Sequence, residues 1–111
     1  MRTSPSFLRE QVLARDRGIC SRCTVDTLGA HRLIRRSRGE RRRHLLALWG
    51  LTRLTRRSLW DADHIVPVVE GGGECDLENL RTLCLHCHRV VTRALQARRR
   101  AVRLAGESAV G

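Results

Sequence analysis

The apolar and polar positions divide the chain into helical and extended stretches. From Leu85 onward Val90, Val91, Ala94, Leu95, Ala97, Ala101, Val102 and Leu104 recur at helical spacing, with Arg89, Arg93, Arg99, Arg100 and Arg103 mostly off that face. This predicts a long amphipathic C-terminal helix. Leu8, Val12 and Leu13 form a shorter stripe over residues 5–15, with Ser4 placed to cap it, Pro5 in its first position and Gly18 to end it. Between them, "SLWDADHIVPVV" (58–69) reads as a strand broken by Pro67, Gly71 to Gly73 as a turn, and "NLRTLC" (79–84) as a second short strand. A further helix is predicted over 40–49, where Leu45, Leu46, Leu48 and Trp49 are closed off by Gly50. The order is helix, turn, inserted helix, strand, loop, strand, helix, an α+β arrangement without internal repeats. Residues 105–111 are expected to fray.

A chain of 111 residues makes one domain (1–111) with a modest core, so a covalent or metal staple would matter to it. It has five cysteines, no secretory leader pattern and no apolar run of membrane-spanning length. The expected setting is therefore a reducing cytoplasm, associated with the nucleoid, with no membrane partner. There, paired CxxC motifs are read as metal ligands rather than disulfides.

The net charge of +11 comes from 22 arginines and no lysine, and it is unevenly spread. Residues 59–88 carry −5, whereas 29–58 carry +9 and 89–111 carry +5. Basic arms that grip a polyanion beside an acidic centre that binds a cation would account for this. A basic chain that is merely well solvated would account for it too. Stretch 30–58, rich in arginine, reads as an insertion. With three aromatic residues in all, a stacking platform for single strands is not indicated.

Cys20-x-x-Cys23 and Cys84-x-x-Cys87 supply four thiols on two tight turns, the stoichiometry of a closed structural zinc site. The long gap between the pairs fits an insertion separating two halves of one metal-joined unit. Cys75 is left over and reads as a loop residue. Within "DHIVP", adjacent strand residues point to opposite faces, so Asp63 and His64 should have different tasks. Asp63 offers a hard oxygen to a divalent cation, and His64 an imidazole able to exchange a proton near neutral pH. His88, just past Cys87, could return towards Asp63 as a second ligand. Taken singly, each of these, like Asn79 in "DLENL", could be an ordinary surface, turn or cap residue.

Taken together, "CSRC", "DHIVP", "EGGGECDLENL" and "LCLHCH" resemble the HNH endonuclease family, whose ββα-metal core reads as a CxxC, DHI-x-P, a glycine-rich loop, DL-x-NL and LC-x-x-CH. The likeness covers about residues 7–95 outside the insertion, and residues 60–87 are most similar to HNH domains fused to SNF2-type DNA translocases. The resemblance implies a small, treble-clef-like ββα core over 59–95, stapled by zinc at Cys20, Cys23, Cys84 and Cys87. It also implies a general base at His64, an asparagine at Asn79 that holds the loop orienting that base, and a catalytic divalent ion on Asp63 and His88. Mg²⁺ or Mn²⁺, with Ni²⁺ able to substitute, would serve, and the substrate would be duplex DNA cut to 5′-phosphate and 3′-hydroxyl ends. Arg35, Arg36, Arg41, Arg42, Arg43, Arg56, Arg57, Arg89 and Arg93 are the expected phosphate contacts, while His44 and His86 match no motif position. No base-reading module is visible, so nicking or structure-directed cleavage is expected rather than cutting at a defined sequence. Two other readings stay open: a non-catalytic zinc module that binds nucleic acid, and a nuclease active only with a translocase or other partner.

Overall fold

The computed structural model describes residues 4–110. The chain runs α1 (Pro5–Asp16), α2 (Thr27–Arg36), α3 (Gly39–Leu48), β1 (Trp60–His64), β2 (Leu80–Cys84) and α4 (Leu85–Val110), with single 3-10 turns at Val68–Glu70 and Leu77–Asn79. α1 begins as its sequence predicts, because the Ser4 side chain accepts from Phe7 N at 3.2 Å and Pro5 needs no partner for a missing N–H. It ends at Arg17 in the left-handed region (φ 54°), whose N–H returns to Leu13 O. α4 continues through residues 105–110, which were expected to fray.

The two strands pair antiparallel from Trp60↔Cys84 to His64↔Leu80. β1 is shorter than the apolar run suggested. After His64 the extended chain leaves the ladder, because Ile65 N donates to Asn79 O and the side chain of Asn79 occupies Val66. Alternation sends Trp60 and Ala62 towards α1, where Trp60 and Leu80 close a cluster with Val12. It sends Asp61 and Asp63 to the other face, the side of α4, where Leu83 packs among the cysteines and against Val91. α1 is fastened to β2 by polar contacts: the fully buried Thr82 donates to Asp16 Oδ2 from N at 3.2 Å and from Oγ1 at 3.0 Å, and Arg15 donates to the carbonyls of Leu77 and Leu80.

The basic stretch contains two helices, not one. The Asp26 side chain caps α2 by accepting from Gly29 N at 3.0 Å, and the helix begins at Thr27, three residues before the expected start of the insertion. Its many arginines hid an amphipathic turn whose apolar side carries Ala30 and Ile34. Ile34 of α2 and Leu46 of α3 share a buried cluster with Leu59 and Leu85, so the inserted helices complete the core of the strand-and-helix unit. Each such aliphatic side chain contributes about 1.5–3 kcal/mol by leaving water.

Candidate active site and metal centre

The four paired cysteines meet. A knuckle between α1 and α2 presents Cys20 and Cys23, closed by Cys20 N to Val25 O and Thr24 N to Cys20 O, and it is tied to β2 through Ser21 N to Thr82 O at 2.9 Å. The end of β2 and the first turn of α4 present Cys84 and Cys87, with Cys87 N donating to Cys84 Sγ at 3.4 Å. All four sulfurs lie within 4.8 Å of one another, and Cys23 Sγ is 3.7 Å from Cys84 Sγ. A tetrahedral ion with bonds of about 2.3 Å requires sulfurs about 3.8 Å apart, so the cluster is placed to hold a metal such as zinc. At Cys20 burial opposes ionisation, but the backbone N–H groups of Cys84, Cys23 and Arg22 outweigh it and bring the thiol down to about 6. Burial pushes Cys84 up to about 12. A divalent ion among the sulfurs removes this conflict, since it deprotonates the thiols that coordinate it. Cys75 stands apart and exposed, as a loop residue.

His64 ends β1, and its Nε2 lies 2.9 Å from the carbonyl oxygen of Glu74. A carbonyl only accepts, so Nε2 carries the proton and Nδ1 of the neutral ring keeps its lone pair. The loop that supplies this carbonyl is clamped by Asn79, which accepts from Val66 N at 2.9 Å and donates to Val66 O at 2.9 Å and to Gly73 O at 3.0 Å. The approach is close enough to require glycine at position 72, where a Cβ would strike Val66 O and the Asn79 amide.

Asp63 and His64 take different partners, although both border one hollow. Asp63 pairs across the ladder with Arg81, its Oδ2 4.0 Å from Arg81 Nη2, and that oxygen is buried with no hydrogen-bond partner among the described residues. His88 sits in the first turn of α4, as expected, and its Nδ1 is 3.1 Å from Oδ2 of Asp61. Sequence reasoning passed over Asp61, which no motif marks. The one signal available was its place two residues before Asp63, on the same face of β1. His86, exposed, stacks on Trp49 of the insertion, ring centroids 5.2 Å apart.

Of the nine arginines expected to meet phosphate, Arg56, Arg89 and Arg93 line the hollow that also contains Asp61 and His88. A neighbouring hollow holds Asp63 and His64 together, and Thr92 of α4 borders both. The other six arginines, on and around α2 and α3, do not line these hollows. Arg99 also lines the hollow of Asp63 and His64, and with Gln96, Arg100 and Arg103 it forms a further hollow along α4; the sequence reading did not single these arginines out as phosphate contacts.

The sequence profile of the HNH endonuclease family matches residues 52–93. The solved structure of the human ZRANB3 HNH domain superposes with a TM-score of 0.69 at 32% identity, over 89% of this chain and 95% of that one. The chain belongs to the HNH endonuclease family. Among curated proteins it is 39% identical to the "DNA annealing helicase and endonuclease ZRANB3" of Mus musculus and 34% identical to that of Homo sapiens, in each case over 90% of this chain and 10% of the relative. It therefore spans about a tenth of the length of the curated relatives it matches. A name that joins a helicase to an endonuclease agrees with the expected likeness to HNH domains carried by DNA translocases.

Proposed function

We propose that this domain hydrolyses phosphodiester bonds of duplex DNA with His64 as general base, nicking it or acting on its structure rather than its sequence. The observation that carries this reading is the bond from His64 Nε2 to the Glu74 carbonyl, which leaves Nδ1 as the acceptor for a water proton. His64 takes that proton, the resulting hydroxide attacks phosphorus, and the bond to the 3′ oxygen breaks; that oxygen takes a proton from solvent water, leaving 5′-phosphate and 3′-hydroxyl ends. Asp63 and His88 would hold a divalent ion, and Oδ2 of Asp63, which has no hydrogen-bond partner among the described residues, is an oxygen suited to one. Mg²⁺ or Mn²⁺ bound there would supply charge neutralisation at the phosphate and at the departing oxygen. Arg56, Arg89 and Arg93 neutralise neighbouring phosphates, which positions the duplex without reading bases.

Cleavage of supercoiled plasmid by zinc-loaded protein with Mn²⁺ or Mg²⁺, beside His64→Ala and an EDTA control, tests the reading. Metal-dependent nicking that the variant loses, with zinc content and gel retardation kept, supports it. Equal retardation of intact plasmid by both proteins would replace it with a binding module. The names of the relatives favour a second reading, a nuclease that works only alongside a DNA-remodelling partner.

A further inference from the structure

The carboxylate of Asp61 joins three parts of the chain. Its Oδ2 accepts from His88 Nδ1 at 3.1 Å, and its Oδ1 accepts from Arg56 Nη2 at 2.8 Å. Arg56 belongs to the segment leading into β1, and its carbonyl oxygen lies 3.3 Å from Nε2 of His31 on α2. Opposite Asp61 on β2 stands Leu83, fully buried on the same face, so the strand that carries the carboxylate is anchored beside it.

We propose that Asp61 is the positioning residue of His88, fixing which ring nitrogen faces the catalytic ion. The inference rests on the reading of His88 as a ligand given above. A carboxylate oxygen only accepts, so the bond places the ring proton on Nδ1 and leaves the lone pair on Nε2. Histidines that ligate metals commonly donate their other N–H to a carboxylate, which sets tautomer and ring direction and raises the basicity of the ligating nitrogen. Without Asp61 the ring is free to turn and to exchange tautomers. Arg56 fixes the direction of the carboxylate, and His31 steadies the segment carrying Arg56, so the inserted helix α2 buttresses the site from behind. Because Asp61 and Asp63 lie two residues apart on one face of β1, a single strand sets both the orienting group and the oxygen ligand.

The test uses zinc-loaded protein with ¹⁵N-labelled histidine, without nuclease assay. Long-range ¹⁵N–¹H spectra at a pH where imidazole is neutral should show His88 in the Nδ1–H form, and Asp61→Ala should move it towards Nε2–H. Mn²⁺ affinity by calorimetry should fall about 10–100-fold in Asp61→Ala. Asp61→Asn, whose amide oxygen can still accept from Nδ1, should keep the tautomer and lose less affinity, and it stands in if the alanine variant fails to retain zinc. An Nε2–H ring in the unaltered protein would overturn the proposal, as would Mn²⁺ affinity unmoved by Asp61→Ala while His88→Ala weakens it. Undiminished Mn²⁺ binding in His88→Ala would instead remove His88 from the ligand set, and the wider reading with it.

Discussion

Asn79 grips both the N–H and the C=O of Val66, thirteen residues earlier, with one amide side chain at 2.9 Å for each bond. The same amide reaches Gly73, next to the residue whose carbonyl orients His64. Asn79→Asp keeps an acceptor for Val66 N but turns a carboxylate oxygen towards two carbonyls. If His64 is the base, cleavage should fall by about 10²-fold, since a shift of about 1 Å in a reacting group costs that much. Zinc content should stay at one ion per chain, and plasmid nicking at matched zinc content is the measurement.

The inserted helices are part of the core. Ile34 has 1% of its surface exposed and lies in one cluster with Leu46, Leu59 and Leu85. Ile34→Ala should cost about 2–5 kcal/mol. Denaturant unfolding should remain a single transition at a lower midpoint. An insertion that melted by itself would give two transitions, with the strand and α4 signal unchanged.

Removal of the metal should be more damaging than any single core substitution. Cys20, Cys84 and Cys87 are themselves buried core residues beside Leu83, so the cluster joins the knuckle between α1 and α2 to β2 and α4. Binding free energies of structural zinc, about 10–16 kcal/mol in small peptides, become folding free energy where the apo form has no preformed site. Chelation, or Cys84→Ser, should abolish the cooperative melt followed by circular dichroism.

Asp16 sets an acid limit on the α1 contact. The Arg15 guanidinium, hydrogen-bonded at 2.7 Å, lowers its pKa despite some burial, and the Thr82 hydroxyl and N–H lower it further. A depressed folded pKa means that the stabilisation is complete above the ordinary carboxylate value near 4 and is lost as pH falls through the lower folded value. Asp16→Ala leaves the buried Thr82 donors unpaired and should cost about 1–3 kcal/mol at pH 7. Protons also compete for the zinc thiolates, so the quantity to follow is the stability difference between the two proteins. It should be flat from pH 7 to 5 and shrink below pH 4.

Arg89 and Arg93 should each account for about one released counterion. Changing both to alanine should lower the slope of log K against log salt by about 1.8, at about 0.9 per phosphate contact on duplex DNA. Fluorescence anisotropy with a catalytically silent His64→Ala background measures it. The triple change of Arg41, Arg42 and Arg43 on α3 should have a smaller effect, since the hollow beside His88 is lined by Arg56, Arg89 and Arg93. An equal drop in both variants would bring α3 into the interface.

What the sequence determined by itself was the chemistry that short spacing dictates. Two CxxC turns, the alternation that separates Asp63 from His64, the Ser4 cap and the period of α4 all depend on neighbours within a few residues, and the structure keeps each of them. The family signature pointed to Asn79, whose partners Val66 and Gly73 lie across the loop. Only the tertiary structure decided which carboxylate His88 meets, because that choice depends on how α4 lies across β1 and joins residues 27 positions apart. It also decided that α2 exists and packs: the Asp26 cap and the apolar side of Ile34 are slight signals among arginines until Leu46, Leu59 and Leu85 offer a surface to bury them against. Local geometry is written in local spacing, but the partner of a polar side chain at the site is set by the packing of elements far apart in the chain.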